Sequence, residues 1–428
     1  MRFAVYTLGC KVNQYESQAI EQAGAARGHA LVPFEAEAEV YIINTCTVTN
    51  LADQKNRQII RRTRREHSQA LLCVCGCFPQ THTGQAEALG ADLVCGTGER
   101  ALLWPRVEAA AAQKAAVTHV DDAMKRRDFE ELPAGGLEGR TRGMLKVEDG
   151  CVNFCTYCII PYARGPVRSL PADRAAAQAE ALAWAGYREL VVTGIEISSW
   201  GRDLPGQPGL AELLETISAA APDLRIRLGS LEPRTVTEDF CRRVSSLHNI
   251  CPHFHLSLQS GCDKTLKAMH RKYDSARFYE SVELLWKYYV NPGITTDLIV
   301  GFPGETEADF QESLAFVEKC GFAALHVFPY SRRPGTSAAA MAGQVPNAEK
   351  KRRAARAGEL ARQLQARYLQ GLVGQELEIL FEEEKDGLWQ GHAPNYVSVR
   401  AKGDALHNQL RTVRTTAAGA DHLLGELR

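Results

Sequence analysis

The stretch "VEDGCVNFCTYCIIPYARG", residues 147–165, carries three cysteines in a CxxxCxxC pattern. Structural zinc sites usually have four ligands, and the sequence offers no fourth cysteine nearby. A [4Fe–4S] cluster is normally held by four thiolates, so Cys151, Cys155 and Cys158 would leave one iron with a free coordination position. An open position is where metal sites bind a substrate or a cofactor. The pattern therefore favours a functional cluster over a structural zinc loop or unrelated thiols.

The cysteine stretch directly follows "GMLKVED" (143–149), the first of several strand candidates that alternate with helical segments. The later candidates are 189–194, 225–230, 253–258, 295–301 and 324–330. Repeated βα units predict a barrel or a partial barrel over residues 141–370, whose last part, 347–370, is one charged helix. Active sites of such barrels lie at the C-terminal ends of the strands, which is where the cysteines fall.

Two further domains and a linker are predicted around this barrel. Residues 1–118 alternate short apolar strands with amphipathic helices, which indicates an open parallel α/β sheet. Residues 119–140 are mostly polar, with Gly and Pro late in the run, and predict a linker. Residues 371–428 alternate apolar and polar side chains between turn signals, which predicts a small antiparallel β-barrel.

Composition places few limits on the partners of this protein. The chain has 428 residues, 45% hydrophobic and 24% charged, with a formal net charge of -1. Bulk charge therefore neither indicates nor excludes a nucleic-acid partner. The first residues, "MRFAVYTLGCKVN", lack the apolar core of a signal peptide, and no run of about 18 apolar residues predicts a membrane span. We expect a cytoplasmic protein, in which 13 cysteines indicate metal or redox chemistry rather than disulfides.

A second set of thiols lies at strand ends of the N-terminal domain. Each of these cysteines follows a predicted strand: Cys10, Cys46 and Cys77. The carboxyl ends of parallel strands form one edge where ligands bind, so the three thiols fit a second cluster with an open iron. Cys75 lies on the strand itself, and we prefer Cys77 because a glycine precedes it, as one precedes Cys10. Cys73 and Cys75 are predicted as buried core residues, Cys95 is a weaker candidate ligand, and ordinary core cysteines remain the alternative for the whole set.

The motifs of this chain resemble those of a known enzyme family. CxxxCxxC with Tyr157 before its last cysteine is the signature of radical S-adenosylmethionine (SAM) enzymes. "TLGCKVNQYES", "INTCTVTNLADQKNRQIIRR" and "CGCFPQ" resemble the N-terminal domain of the methylthiotransferase family. "HFHLSLQSGCDKTLKAMHRKY", "TTDLIVGFPGETEADF" and "FPYSRRPGTSA" are similar to its radical domain, and "GHAPNYVSV" to its RNA-binding TRAM barrel. The resemblance covers nearly the whole chain, with the domains in the same order.

The resemblance implies a particular use of the two cysteine sets. Cys151, Cys155 and Cys158 would hold the radical [4Fe–4S] cluster, and Cys10, Cys46 and Cys77 an auxiliary [4Fe–4S] cluster. One SAM would be cleaved to a 5′-deoxyadenosyl radical and a second would supply a methyl group, so that C–S–CH3 replaces C–H. The family also implies an electron donor, such as flavodoxin or ferredoxin, and a sulfur donor.

Polar residues at other strand ends are candidates for binding SAM. Gly194 and Glu196 follow the second barrel strand, whose loop commonly meets the amino group of the cofactor in radical enzymes. Ser257 and Gln259 lie at the end of "HLSLQ", facing the same predicted pocket. A surface carboxylate and ordinary turn residues are the alternatives for these positions.

Candidate RNA contacts lie in all three domains. Four arginines of the predicted helix "QKNRQIIRRTRREH" (54–67) share one side: Arg57, Arg61, Arg64 and Arg65. Such a positive face suits RNA phosphates, although most charge runs are only solvated surfaces. Arg333 is a candidate contact to substrate anions, and Tyr396 to RNA bases, because small β-barrels bind RNA with aromatic and basic side chains.

The opening motif indicates the substrate branch within the family. "GCKVNQYES" resembles the branch that modifies N6-threonylcarbamoyl-adenosine in tRNA. We therefore predict a tRNA methylthiotransferase that acts at C2 of this nucleoside, next to the anticodon. The alternatives are the branches that modify isopentenyl-adenosine in tRNA or an aspartate of a ribosomal protein. An iron–sulfur RNA-binding or sensor protein is the non-enzyme alternative.

Overall fold

The computed structural model describes residues 1–113, 116–133 and 141–428. The N-terminal domain is an open sheet in the order β2-β1-β3-β4-β5-β6, with all neighbouring strands parallel. Its strands are β1 (Arg2–Thr7), β2 (Ala30–Leu31), β3 (Val40–Thr45), β4 (Leu71–Gly76), β5 (Leu93–Cys95) and β6 (Val117–His119). Its helices are α1 (Lys11–Ala26), α2 (Asn50–Glu66), α3 (Cys77–Thr81), α4 (Thr83–Ala88) and α5 (Leu103–Gln113).

Both faces of this sheet are covered, as its composition predicts. Every residue of β3 is buried, because a parallel sheet between helices leaves neither face to water. Alternate side chains enter two separate cores, one around Ile42 and Trp104 and the other around Ile43 and Phe78. The predicted open parallel α/β sheet is therefore confirmed. Part of the predicted linker, residues 134–140, lies outside the described residues.

The central domain contains parallel strands in two adjoining sheets, in the orders β11-β10-β7 and β12-β13-β14-β15. Its strands are β7 (Arg142–Lys146), β8 (Glu148–Asp149), β9 (Arg168–Ser169), β10 (Glu189–Thr193), β11 (Arg225–Leu228), β12 (Ser230–Leu231), β13 (His253–Gln259), β14 (Gly293–Val300) and β15 (Ala324–Pro329). Only Gly229 separates β11 from β12, so the two sheets continue one another. The predicted partial (β/α) barrel is confirmed.

Helices cover one side of these strands and bury a large apolar core against them. The helices of this domain are α6 (Ile160–Arg164), α7 (Ala172–Trp184), α8 (Leu210–Ala220), α9 (Glu238–Ser245), α10 (Asp263–Ala268), α11 (Ser275–Tyr288), α12 (Glu307–Cys320), α13 (Ser337–Ala340) and α14 (Asn347–Gly371), of which α6 and α13 do not contribute to this core. Local signals set their ends. Helix α12 begins with a reciprocal capping box between Thr306 and Asp309 and ends at Gly321, whose φ of +65° suits a residue without Cβ.

The C-terminal domain is a closed barrel in the order β16-β17-β18-β20-β19. Its strands are β16 (Glu376–Lys385), β17 (Leu388–His392), β18 (Ser398–Ala401), β19 (Leu410–Ala418) and β20 (Leu423–Leu427). The small barrel expected from alternation is confirmed, with one difference. Strands β18 and β20 pair in parallel, because β19 turns back to pair with β16 before β20 closes the barrel.

Candidate active site

The CxxxCxxC loop leaves the barrel directly after β8 and is folded back by backbone hydrogen bonds. Cys151 N donates to Gly165 O at 3.0 Å, and Thr156 N donates to Met269 O at 3.1 Å. Gly150 has a φ of +93°, and a Cβ there would lie 2.0 Å from the carbonyl oxygen of Pro166. Glycine is therefore required at the tight turn that presents the first thiol.

The three cysteines of this loop are half-buried residues, and their thiols interact electrostatically, Cys158 with Cys151 and Cys155 with Cys158. Burial raises the pKa of the Cys158 thiol to about 12, and the charge of Cys155 adds to the effect. Burial, followed by the charges of Glu196 and Cys158, also raises the pKa of Cys151. A cation compensates on one side, since Arg271 Nη1 lies 3.2 Å from Cys155 Sγ. Clustered thiols with an adjacent guanidinium fit an iron–sulfur cluster, whose sulfurs commonly accept hydrogen bonds.

The second set of thiols converges at the carboxyl edge of the N-terminal sheet. Cys10, Cys46 and Cys77 follow β1, β3 and β4, and Gly9 lies so close that a Cβ there would approach Cys46 Sγ to 3.2 Å. Burial raises the pKa of Cys46 to about 12, with further increases from the charges of Cys77 and Cys10. Burial and Cys10 likewise raise the pKa of Cys77. The structure thus brings together the three cysteines that strand placement singled out.

The other cysteines of this domain form a separate group inside the core. Cys73, Cys75 and Cys95 are fully or almost fully buried in the same apolar cluster as Trp104. Interactions with Cys75 and Cys95 raise the pKa of the Cys73 thiol. Cys75 and Cys77 are two residues apart, but the chain turns at Gly76, which has a φ of +103°. Cys77 therefore faces the sheet edge while Cys75 faces the core.

A buried cluster of charged side chains lies between the two sets of thiols. Glu16 of α1 accepts hydrogen bonds from Arg164 and, at 3.2 Å, from Arg100 Nη2, and it lies 3.6 Å from Lys146 Nζ. Asp149, two residues before Cys151, accepts from Lys146 Nζ at 2.9 Å. Burial alone would raise the pKa of Glu16, but the surrounding cations lower it to about 2. Coulombic attraction therefore joins the N-terminal domain to the start of the cysteine loop.

The residues predicted to bind SAM lie beside the cysteine loop. A Cβ at Gly194 would lie 2.7 Å from Glu148 Oε2, so this position is restricted to glycine. Glu196 accepts from Ser198 N at 3.0 Å, and burial raises its pKa. The neighbouring Glu148 is fully buried, and its Oε1 has no hydrogen-bond partner within residues 1–113, 116–133 and 141–428. An unpaired acceptor and a second carboxyl group beside Cys151 fit the amino group of the cofactor.

Ser257 and Gln259 lie on the inner face of β13, where a register shift interrupts pairing with β14. Gln259 has a φ of +68°, and the carbonyl oxygen of Ser257 accepts from Arg271 Nη2 at 3.2 Å. On the same face, His255 Nε2 lies 3.3 Å from Asp297 Oδ2. Sequence analysis did not single out Arg271, His255 or Asp297, although inward alternation in "HFHLSLQ" was a usable signal for His255.

The candidate RNA-binding arginines of α2 do not form one uniform face. Arg61 and Arg65 are exposed. Arg57 Nη1 lies 3.5 Å from Gln85 Oε1, which is a long distance for a hydrogen bond. Arg64 instead forms an ion pair with Asp92 and donates to the carbonyl oxygen of Gly90 at 2.9 Å. Its guanidinium thus fastens α2 to the sheet.

The two remaining candidates lie at domain junctions. Arg333 is 1% exposed, forms an ion pair with Asp53 and donates to Thr47 Oγ1 at 2.6 Å. These partners leave no surface on Arg333 for an RNA phosphate, so the structure does not favour the RNA contact expected there. Tyr396 accepts from Arg142 Nη1 at 3.1 Å, and its ring lies under the guanidinium of Arg227. It lines a cavity between the barrels rather than an open surface.

Comparisons with known proteins agree with this architecture. Residues 145–317 match the family model described as the Radical SAM superfamily, and residues 2–96 match Uncharacterized protein family UPF0004. The radical SAM methyltransferase TsrM of Kitasatospora setae, solved with cobalamin and a [4Fe-4S] cluster, superposes with a TM-score of 0.57. That alignment covers 91% of this chain and 80% of TsrM at 14% identity, and it supports the fold.

Full-length sequence relatives are more specific. The chain is 40% identical to "Threonylcarbamoyladenosine tRNA methylthiotransferase MtaB" of Bacillus subtilis, over 99% of this chain and 95% of the relative. It is 34% identical to "tRNA-2-methylthio-N(6)-dimethylallyladenosine synthase" of Moorella thermoacetica, over 99% and 98% of the two chains. Both matches extend over 99% of this chain and therefore over all three domains. The chain therefore belongs to the family of radical SAM tRNA methylthiotransferases, which are iron–sulfur enzymes, and is of the MtaB type.

Proposed function

We propose that this enzyme converts C2–H of N6-threonylcarbamoyl-adenosine, next to the tRNA anticodon, to C2–S–CH3, using two [4Fe–4S] clusters. The observation that carries the proposal is the pair of converging thiol sets, one in each α/β domain, joined by the buried charges around Glu16. The choice of nucleoside is supported by the name of the Bacillus subtilis relative at 40% identity.

The residues of the chain have separate tasks in this proposal. Cys151, Cys155 and Cys158 hold one cluster, and Cys10, Cys46 and Cys77 hold the other. When bound, the clusters and SAM supply the electron, the hydrogen-abstracting radical, the sulfur and the methyl group. Arg271 donates a hydrogen bond to the thiolate of Cys155, which stabilises its negative charge.

Other side chains position the cofactor and the RNA. Glu196 and Glu148 accept hydrogen bonds from the SAM amino group, and the missing side chain at Gly194 leaves room for Glu148. Ser257 and Gln259 line the same side of the pocket. Arg61, Arg57 and Arg65 attract the phosphates of the anticodon stem-loop. An electron donor such as flavodoxin or ferredoxin and a sulfur donor complete the reaction.

The first experiment is mass spectrometry of tRNA nucleosides from cells that lack this gene, before and after the gene is restored. We expect the methylthio form of threonylcarbamoyl-adenosine to disappear and to return with the wild-type gene but not with Cys151→Ala. If the methylthio form of isopentenyl-adenosine is lost instead, the enzyme belongs to the branch that modifies isopentenyl-adenosine in tRNA. If no tRNA nucleoside changes, the tRNA assignment fails and a ribosomal-protein substrate becomes the better proposal.

A further inference from the structure

A cavity of about 390 Å³ lies where the N-terminal domain, the central barrel and the C-terminal barrel meet. Its polar lining includes Lys11, Gln14, Arg142, Arg227 and Tyr396, together with the carboxylates Glu382 and Glu383. This volume is within the range of small-ligand pockets. Lys11 directly follows Cys10, a proposed ligand of the auxiliary cluster, in the sequence.

The two arginines of this cavity already have carboxylate partners. Arg227 donates to both oxygens of Glu189, at 2.6 and 2.8 Å. Arg142 donates to Glu382 Oε2 at 2.9 Å and to the hydroxyl oxygen of Tyr396 at 3.1 Å. Each guanidinium group is therefore already bound to a carboxylate of the protein, and Glu189 also accepts from Arg225 Nη2 at 3.1 Å.

The ammonium group of Lys11 differs, since it forms no hydrogen bond or ion pair with any residue that the structure describes. The Tyr396 hydroxyl accepts from Arg142, and its proton has no acceptor among the described side chains and carbonyls. Two half-buried side chains thus line the same cavity with donor groups that no described residue accepts from, and these donors are free to bind a ligand.

We propose that this cavity binds the carboxylate of the N6 substituent of the substrate nucleoside, with Lys11 and Tyr396 as its donors. The inference rests on the proposed function, because the threonylcarbamoyl group is the part of that substrate that carries a carboxylate. An isopentenyl group would leave the Lys11 ammonium group unpaired beside two arginines. A site built to bind a charged group rejects an analogue that lacks it, so the cavity explains selectivity between the two nucleosides.

An RNA phosphate is the other possible source of an anion for Lys11, and the test separates the two. The reconstituted enzyme is titrated with anticodon stem-loop RNA that carries either threonylcarbamoyl-adenosine or its neutral threoninamide analogue, with fluorescence anisotropy as the readout. The variants are Lys11→Met, Lys11→Arg and, as a matched control, Lys319→Met on the outer helix α12. The measured quantity is the ratio of the two dissociation constants, which does not depend on the fraction of active protein.

We expect the wild type to bind the acid form at least about tenfold more tightly than the amide, as for a hydrogen bond to a charged group. Lys11→Met should bring the ratio to about one, whereas Lys11→Arg and Lys319→Met should keep most of it. An unchanged ratio in Lys11→Met overturns the inference. Equal weakening of both RNAs also overturns it, because the partner of Lys11 would then be a phosphate.

A methylthiolation assay with the wild-type enzyme and the same RNAs distinguishes the two levels of failure. If the wild type modifies the threonylcarbamoyl RNA but Lys11→Met keeps the wild-type binding ratio, only the carboxylate pocket is wrong. If the wild type modifies isopentenyl RNA and leaves threonylcarbamoyl RNA unchanged, the proposed function fails and the pocket assignment fails with it.

Discussion

Arg164, the last residue of α6 after the cysteine loop, forms an ion pair with Glu16 of α1 in which both side chains are fully buried. A second contact joins Arg164 Nη2 to Asn13 Oδ1 at 2.8 Å. Asn13 and Glu16 follow Cys10 in α1, and Arg164 follows Cys158. Two short segments that carry proposed ligands of different clusters are therefore clamped directly to each other.

Replacing Glu16 should destabilise the protein strongly. Glu16→Gln leaves Arg100, Arg164 and Lys146 around a neutral amide, and breaking a buried charge pair costs about 3 to 5 kcal/mol. Denaturant unfolding monitored by circular dichroism measures the change. Glu359→Gln on α14 is the control, since that exposed pair with Arg362 should contribute nothing measurable. Equal stability of the two variants would show that the buried clamp does not hold the domains together.

The same carboxylate should contribute to acid sensitivity. The pKa of Glu16 falls from 4.5 to about 2 on folding, so its contribution is complete above pH 4.5 and is lost as the pH decreases toward 2. One proton taken up on unfolding changes the free energy of unfolding by about 1.4 kcal/mol per pH unit. The pH dependence of unfolding in that window should therefore be shallower for Glu16→Gln than for the wild type. Identical slopes would contradict the lowered pKa.

Cysteine variants separate the proposed auxiliary ligands from core cysteines. Cys77→Ala should lose about half of the bound iron and all methylthiolation, because Cys77 lies beside Cys46 and Cys10. Cys75→Ala should keep its iron, since Cys75 faces the apolar core. Iron analysis and electron paramagnetic resonance of the reduced proteins report the cluster content. Iron loss in Cys75→Ala with retention in Cys77→Ala would reverse the assignment.

Two arginines on the same helix should respond differently to truncation. Arg61 is exposed and has no partner among the described residues. Arg61→Ala should therefore weaken RNA binding and lower the slope of the logarithm of the binding constant against the logarithm of the salt concentration by about one, which corresponds to one lost phosphate contact. Arg64 is held by Asp92 and by backbone carbonyl groups. Arg64→Ala should therefore lower the thermal unfolding midpoint more than Arg61→Ala does. Salt titrations of RNA affinity and thermal melts of both variants test the contrast.

The cysteine pattern and the strand placement contain most of the information about the fold. Cys10, Cys46 and Cys77 were placed at one sheet edge because parallel strands end on the same side, and the structure brings their thiols close together. Helical spacing and motif position are too coarse to predict the partners of charged residues. Arg64 and Arg333 were expected to face RNA, but each is held by a carboxylate from another element.

Local sequence therefore predicts the α/β domains, the partial barrel, the small C-terminal barrel and both thiol sets, because spacing and alternation depend on backbone periodicity alone. Tertiary structure decides which charges meet. Glu16 and Arg164 are 148 residues apart, and Lys11 and Tyr396 come from different domains. Ion pairs and the lining of a cavity depend on how elements far apart in the sequence pack together. No local sequence pattern encodes that packing. The clamp between the two thiol sets and the proposed carboxylate pocket are visible only in the folded chain.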